Sequence, residues 1–201
     1  MHEWIDTAVS DLADKGWALL PQVLPSPFCM ELNSWIDQQV VLGAFQRAGI
    51  GKGQRHQIND SVRGDIVLWM SDPGRDQYLR DLENLLETVR QTLNSKLFAG
   101  LETFEGHFAI YPPGGFYRRH VDTFRDDDVR KLTLLLYLNQ RWEKSDGGEL
   151  ILEMGDRSTV TIAPTMGTIV LFDSRRFPHE VTEANAERRS FTGWFKVRPL
   201  S

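Results

Sequence analysis

The chain has 201 residues, of which 41% are hydrophobic and 25% charged, and a formal net charge of −5. Those values fit a single globular domain over residues 1–201, with enough chain for a sizeable buried core. They exclude general nucleic-acid binding, because an acidic chain repels phosphate, and no apolar run reaches the roughly 20 residues that cross a bilayer, so neither a nucleic acid nor a membrane is an expected partner.

The N-terminal stretch WIDTAVSDLADKG places Ile5, Ala8, Val9 and Leu12 at helical spacing before a stop at Gly16. It is acidic and amphipathic, unlike a secretory or transit segment. Ser26-Pro27 reads as an N-cap followed by proline at the first helical position, opening a helix through about Val40. The one cysteine, Cys29, excludes an internal disulfide and reads as a small buried hydrophobe, which makes a reducing cytoplasm the expected location. Residues 43–57, GAFQRAGIGKGQRHQ, carry four glycines and few apolar anchors and are expected to form a mobile lid. Asp72-Pro73 repeats the helix start signal, and Leu79, Leu82, Leu85, Leu86, Val89, Leu93 and Leu97 then make one apolar stripe. Residues 1–100 are thus expected to be mainly helical support.

From about residue 101 the period becomes two. HFAIY, KLTLLLYLN, ELILE, STVTI, TIVLF, HEVTE and SFTGWFKV are short strand-like runs separated by turn sequences such as YPPGG, SDGGE and APTMG. Many short strands after a helical half predict an α+β fold, a double-stranded β-helix (jelly-roll, cupin-like) core at 101–201 buttressed by the N-terminal helices.

Within that half, YRRHVD puts His120 and Asp122 two positions apart on a strand end. Residues i and i+2 share a face about 6.6 Å apart, so an imidazole and a carboxylate can converge on one ion. His179, at the start of a later strand, supplies a second imidazole. Two imidazoles and one carboxylate suit non-haem Fe(II), and catalytic zinc also takes three protein ligands. His2, His56 and His107 receive no catalytic role. Basic pairs at Arg118-Arg119, Arg130-Lys131, Arg175-Arg176 and Arg188-Arg189 suggest a site that receives an anion. Alternation puts Arg188 on one face with Ser190, Thr192 and Trp194, and Arg189 on the other with Phe191, Gly193 and Phe195. The first face is the better lining of a polar cavity, with Arg188 as the carboxylate grip and Thr192 and Trp194 beside the bound group.

Read in order, GIGKG, SVRGDIVLW, FAIYPPGGFYRRHVD, LTLLLYLN, DGGEL and PHEV with RRSFTGW resemble the 2-oxoglutarate- and Fe(II)-dependent prolyl hydroxylases of the animal oxygen-sensing type, and especially their bacterial relatives. The resemblance implies that His120, Asp122 and His179 bind Fe(II). It implies that Arg188 pairs with the distal carboxylate of 2-oxoglutarate, that Tyr137 hydrogen-bonds the same carboxylate, and that Tyr111 lies over the co-substrate. Arg63, Asp65 and Trp69 would shape the prolyl-substrate entrance, with Arg130 at another substrate-side position. The implied reaction couples decarboxylation of 2-oxoglutarate to succinate and CO2 with O2-dependent prolyl 4-hydroxylation, with ascorbate as an auxiliary reductant. The implied partner is a prolyl residue of a folded protein, elongation factor Tu first among candidates. A cupin-like metal-binding or sensor module without turnover and an oxygenase of a free amino acid or small molecule remain as alternatives.

Overall fold

The computed structural model of the chain describes residues 3–49, 57–70, 77–123 and 129–199. Helix α1 (Glu3–Lys15) is followed by β1 (Trp17–Leu20), α2 (Ser26–Val41), β2 (Gln46–Arg47), β3 (Ile66–Trp69) and α3 (Gln77–Leu97). Then come β4 (Leu101–Tyr111), β5 (Tyr117–His120), β6 (Arg130–Tyr137), β7 (Leu150–Glu153), β8 (Thr159–Ile162), β9 (Ile169–Asp173), β10 (His179–Val181) and β11 (Arg188–Val197). The first hundred residues are therefore less helical than their pattern suggested. β1, β2 and β3 are too short to show a period, and each takes its strand form from a partner: β9 for β1, β3 for β2, and β4 for β3.

Two antiparallel sheets face each other, one in the order β1-β9-β6-β11-β4-β3-β2 and one in the order β5-β10-β7-β8. With the helices on the outside of the larger sheet, this is an α+β double-stranded β-helix. β6 shows how the sequence specifies it. Leu132, Leu134 and Leu136 bury against the helices, while Leu135 and Tyr137 turn inward to meet Leu150, Leu152 and Ile162 of the smaller sheet. A strand covered on both faces has to be apolar almost throughout, as LTLLLY is.

The helices are held by their apolar stripes. Trp4, Ile5, Ala8 and Leu12 of α1 and Leu82, Leu86, Val89 and Leu93 of α3 are buried in one cluster with Phe108, Phe191 and Phe195 of the large sheet. Each buried Leu, Ile, Val or Phe among them contributes about 1.5–3 kcal/mol by leaving water. Glu3 and Asp6 in the first turn of α1 and Lys15 in its last complement the helix dipole, and Gly16, at φ +82°, stops it. Asn94 accepts from the Leu101 N–H at 2.7 Å and donates to its C=O at 2.8 Å, which closes the turn from α3 into β4. α2 starts differently from its sequence signal: Pro25 occupies the cap, with no side-chain capping bond, and Ser26 is already helical. Cys29 is buried and free. The Asp72-Pro73 start signal lies outside the described residues, as do residues 50–56 of the expected lid; of the rest of that loop, Gln46–Arg47 pairs with β3. No helix among the described residues is long and apolar enough to cross a membrane.

Candidate active site

β5 and β10 run antiparallel with His120 directly opposite His179. Asp122 follows just beyond the end of β5, and its carboxylate reaches between the two rings: Oδ1 lies 3.6 Å from His120 Nε2 and Oδ2 3.6 Å from His179 Nε2. One ligand atom from each residue falls within 4.8 Å of the others. Both rings are oriented by their other nitrogen. His120 Nδ1 donates to the Arg118 carbonyl at 2.7 Å and His179 Nδ1 to the Phe177 carbonyl at 3.0 Å. A carbonyl can only accept, so each Nδ1 carries the proton and each Nε2 presents a lone pair to the centre of the cluster. Burial favours the neutral form of His179. Burial would by itself raise the Asp122 carboxyl, and the Thr133 hydroxyl, which donates to it, opposes this by favouring the ionised form. Thr133 Oγ1 donates to Asp122 Oδ2 at 2.7 Å and sits 2.9 Å from the buried Ser174 hydroxyl. Two neutral imidazoles and one oriented carboxylate form the donor set of a non-haem Fe(II) centre.

The cluster opens into a cavity of about 430 Å³ between the sheets. β11 lies between β4 and β6 in the large sheet, and its alternation sends Arg188, Ser190, Thr192 and Trp194 into this cavity. Arg189 turns the other way, to Asp37 on α2 at 2.7 Å. Arg188 is 1% exposed. Its Nε donates to the Gly148 carbonyl at 2.8 Å and its Nη1 to Ser190 Oγ at 3.3 Å, while Nη2 has no partner among the described residues. The Tyr137 hydroxyl is likewise buried and unpartnered. Burial pushes this phenol up to about 12 against the pull of Arg188, so it stays protonated and can donate. The guanidinium lies 5.2 Å from the Tyr137 ring centre and 4.9 Å from that of Tyr111, the residue opposite it on β4. A buried cation with an idle N–H, next to an idle phenol, is the arrangement a carboxylate completes. Gly147 and Gly148, at φ +62° and +65°, make the turn that delivers the Gly148 carbonyl. The positive φ favours glycine at 148, and a Cβ there would stand 3.0 Å from Arg188 Cδ and press on it.

The other side of the cavity is cationic and aromatic. Arg63 donates to both oxygens of buried Asp65, at 2.7 and 2.5 Å. Arg130 bonds Glu105 at 2.9 Å and the Asp122 carbonyl at 3.2 Å, and lies 3.5 Å over the Trp194 ring. Trp69 sits at the rim, 47% exposed. His107 packs against both Trp69 and Trp194, its ring centre 4.7 and 5.5 Å from theirs, and its Nδ1 is buried without a partner among the described residues. Burial first, then the charges of Arg63 and Arg130, push it down to about 3. Thus His120, Asp122, His179, Arg188, Tyr111, Thr192, Trp194, Arg63, Trp69 and Arg130 all line one cavity; Tyr137 lies behind Arg188 and Asp65 behind Arg63.

Sequence reasoning passed over four residues that the fold brings here: His107, Thr133, Ser174 and Tyr117. Thr133 carried a signal, as the one polar side chain inside LTLLLY, and His107 carried another, as the inward histidine of HFAIY.

A profile of the family described as the 2OG-Fe(II) oxygenase superfamily matches residues 106–196. Among solved structures, the chain is 38% identical to a Pseudomonas putida prolyl-4-hydroxylase over 97% of this chain and 100% of that one, with a TM-score of 0.88. It is 28% identical to a prolyl hydroxylase from Trichoplax adhaerens solved with a hypoxia inducible factor peptide fragment, over 97% and 90% of the two chains, with a TM-score of 0.87. A Phytophthora capsici prolyl 4-hydroxylase, 24% identical over 98% of this chain and 64% of that one, shares the fold with a TM-score of 0.78. Fold, donor set and likeness agree: the chain belongs to the 2OG-Fe(II) oxygenase superfamily, which works with Fe(II), 2-oxoglutarate and O2.

Proposed function

We propose that this chain is a 2-oxoglutarate-dependent prolyl hydroxylase acting on a prolyl residue of a protein. The observation that carries the reading is the sharing of one cavity by the His120–Asp122–His179 cluster and a buried guanidinium with no carboxylate partner among the described residues. His120, Asp122 and His179 would hold Fe(II). Arg188 Nη2 and the Tyr137 hydroxyl would grip the distal carboxylate of 2-oxoglutarate, beneath the Tyr111 ring. When bound, iron and 2-oxoglutarate supply oxidative decarboxylation to succinate and CO2, coupled to hydroxylation of a C–H bond.

The chain's own groups do the rest. Thr133, itself held by Ser174, aims the Asp122 carboxylate, and the two backbone carbonyls fix the imidazole tautomers. Leu135, Leu150 and Val181 of the cavity lining shed water from the reacting region, which strengthens each of these contacts. Trp69, half-exposed at the rim, offers a flat face against which a pyrrolidine ring packs. The likeness to prolyl hydroxylases favours a proline-containing protein as the partner; elongation factor Tu is the first to test, with ascorbate added as an auxiliary reductant.

The test is an incubation with Fe(II), 2-oxoglutarate and ¹⁸O₂, with purified elongation factor Tu and whole-cell protein in parallel, followed by peptide mass spectrometry. The proposal expects a single ¹⁸O on a prolyl residue and matching succinate, both lost in His179→Ala. Succinate formation driven only by free amino acids or small molecules would overturn the protein substrate, and no turnover in iron-loaded protein would overturn the enzyme.

A further inference from the structure

The two imidazoles of the cluster are held in different ways. His179 is buried, with the Phe172 ring edge-on at 4.9 Å and the Phe177 carbonyl on its Nδ1. His120 is less buried, and its Nδ1 bond alone would leave the ring a wide range of tilt. Its broad face is covered by Tyr117, whose ring lies 3.6 Å away, centre to centre, at 17°. In a regular strand, residues three apart point to opposite faces. Here β5 takes three steps from Tyr117 to His120 while β10 takes two from Val181 to His179, and the resulting bulge turns both rings to one side.

The bulge is pinned. Arg118 N–H donates to the Val62 carbonyl at 2.8 Å, and Gly64 N–H to the Phe116 carbonyl at 2.9 Å. Arg63, in that same pinning segment, sets its guanidinium 4.2 Å over the Tyr117 ring. Two rings stacked at 3.6 Å leave no room between them, so Arg63 covers the face that His120 does not. Asp65 in turn grips Arg63 with both oxygens. The result is a continuous stack, Asp65–Arg63–Tyr117–His120, running from the cavity wall to the metal cluster.

We infer that Tyr117 is a positioning residue: its ring, clamped by Arg63, fixes the plane of His120 and thereby the affinity and symmetry of the metal site. This rests on the reading of His120, Asp122 and His179 as metal ligands. The work is done by the flat face of Tyr117, not its hydroxyl, so Tyr117→Phe keeps the function and Tyr117→Leu loses it. Removing such a support around a metal ligand costs about tenfold or more in affinity.

The experiment is an anaerobic Fe(II) titration of the full chain, followed by 2-oxoglutarate, reading metal affinity and the visible metal-to-ligand charge-transfer band. Parent, Tyr117→Phe, Tyr117→Leu and Tyr117→Met are compared, with apo melting temperatures as the control for folding. Methionine fills the space without a flat face, so a folding failure of one variant leaves the comparison standing. Expected are parent-like binding in Tyr117→Phe, and about tenfold weaker Fe(II) binding with a shifted or broadened band in the other two at unchanged melting temperature. Parent-like binding in Tyr117→Leu or Tyr117→Met overturns the inference, as does equal weakening in Tyr117→Phe. A parent that binds no Fe(II) overturns the metal site itself and is thereby distinguished from failure of the stack alone.

Discussion

Replacing Arg188 by Met should remove co-substrate binding while leaving the stability of the apo fold close to that of the parent. The guanidinium is 1% exposed and its charge has no carboxylate partner among the described residues. Leaving a buried charge uncompensated costs about 3–5 kcal/mol. Two hydrogen bonds, from Nε and Nη1, return about 1.5–3 kcal/mol each at best, less for the long 3.3 Å bond to Ser190. The two tyrosine rings add on the order of 0.5–1 kcal/mol each at their distances. The balance is near zero, and methionine fills the slot without a charge to desolvate. Methionine also strands the buried Gly148 carbonyl and Ser190 hydroxyl, which offsets the relief, so the variant should unfold within about 1 kcal/mol of the parent. Its 2-oxoglutarate binding should fall by about 2–5 kcal/mol, or about 30-fold to a few thousandfold in Kd. Fe(II) affinity should not change, because His120, Asp122 and His179 do not depend on Arg188 for orientation. Urea unfolding followed by tryptophan fluorescence gives the first quantity and an anaerobic co-substrate titration the second. A variant destabilised by more than about 2 kcal/mol that still binds 2-oxoglutarate like the parent would refute the reasoning.

His107 should make the fold acid-sensitive. Its folded pKa is about 3 against an ordinary value of 6.5, so the unfolded chain binds more protons between those values and stability falls as pH drops through that window. From pH 7.5 to 5.0 the parent should lose about 2 kcal/mol to this residue, and His107→Leu should be spared that loss; equal losses in urea unfolding would contradict it. Thr133→Val removes the donor to Asp122 Oδ2 and strands the Ser174 hydroxyl. Fe(II) binding should weaken about tenfold while 2-oxoglutarate affinity for the loaded protein holds, and unchanged metal affinity would show that Thr133 does not orient Asp122.

Much of this was legible because strand alternation is a strict rule. It assigned Arg188 inward and Arg189 outward on β11, the arrangement found, with Phe191 and Phe195 packed under the helices. His120, Asp122 and His179 could be picked out because ligand chemistry limits residue types. What stayed hidden depends on tertiary pairing. β1 and β3 span four residues each and exist through their edges with β9 and β4. Tyr117 was invisible for a sharper reason: the β5 bulge breaks the alternation used to assign faces, so the regular rule sends its ring away from His120. His107 showed its inward position in HFAIY, but not that two tryptophans would pack against it or that its Nδ1 would have no partner among the described residues.

The most direct measurement is an anaerobic titration of apo-protein with Fe(II) and then 2-oxoglutarate, watched for the visible charge-transfer band, with His179→Ala and Arg188→Met alongside. The account predicts a band in the parent, none in His179→Ala, and in Arg188→Met a band reached only at far higher 2-oxoglutarate. No band in a well-folded parent, or one indifferent to both substitutions, would contradict it.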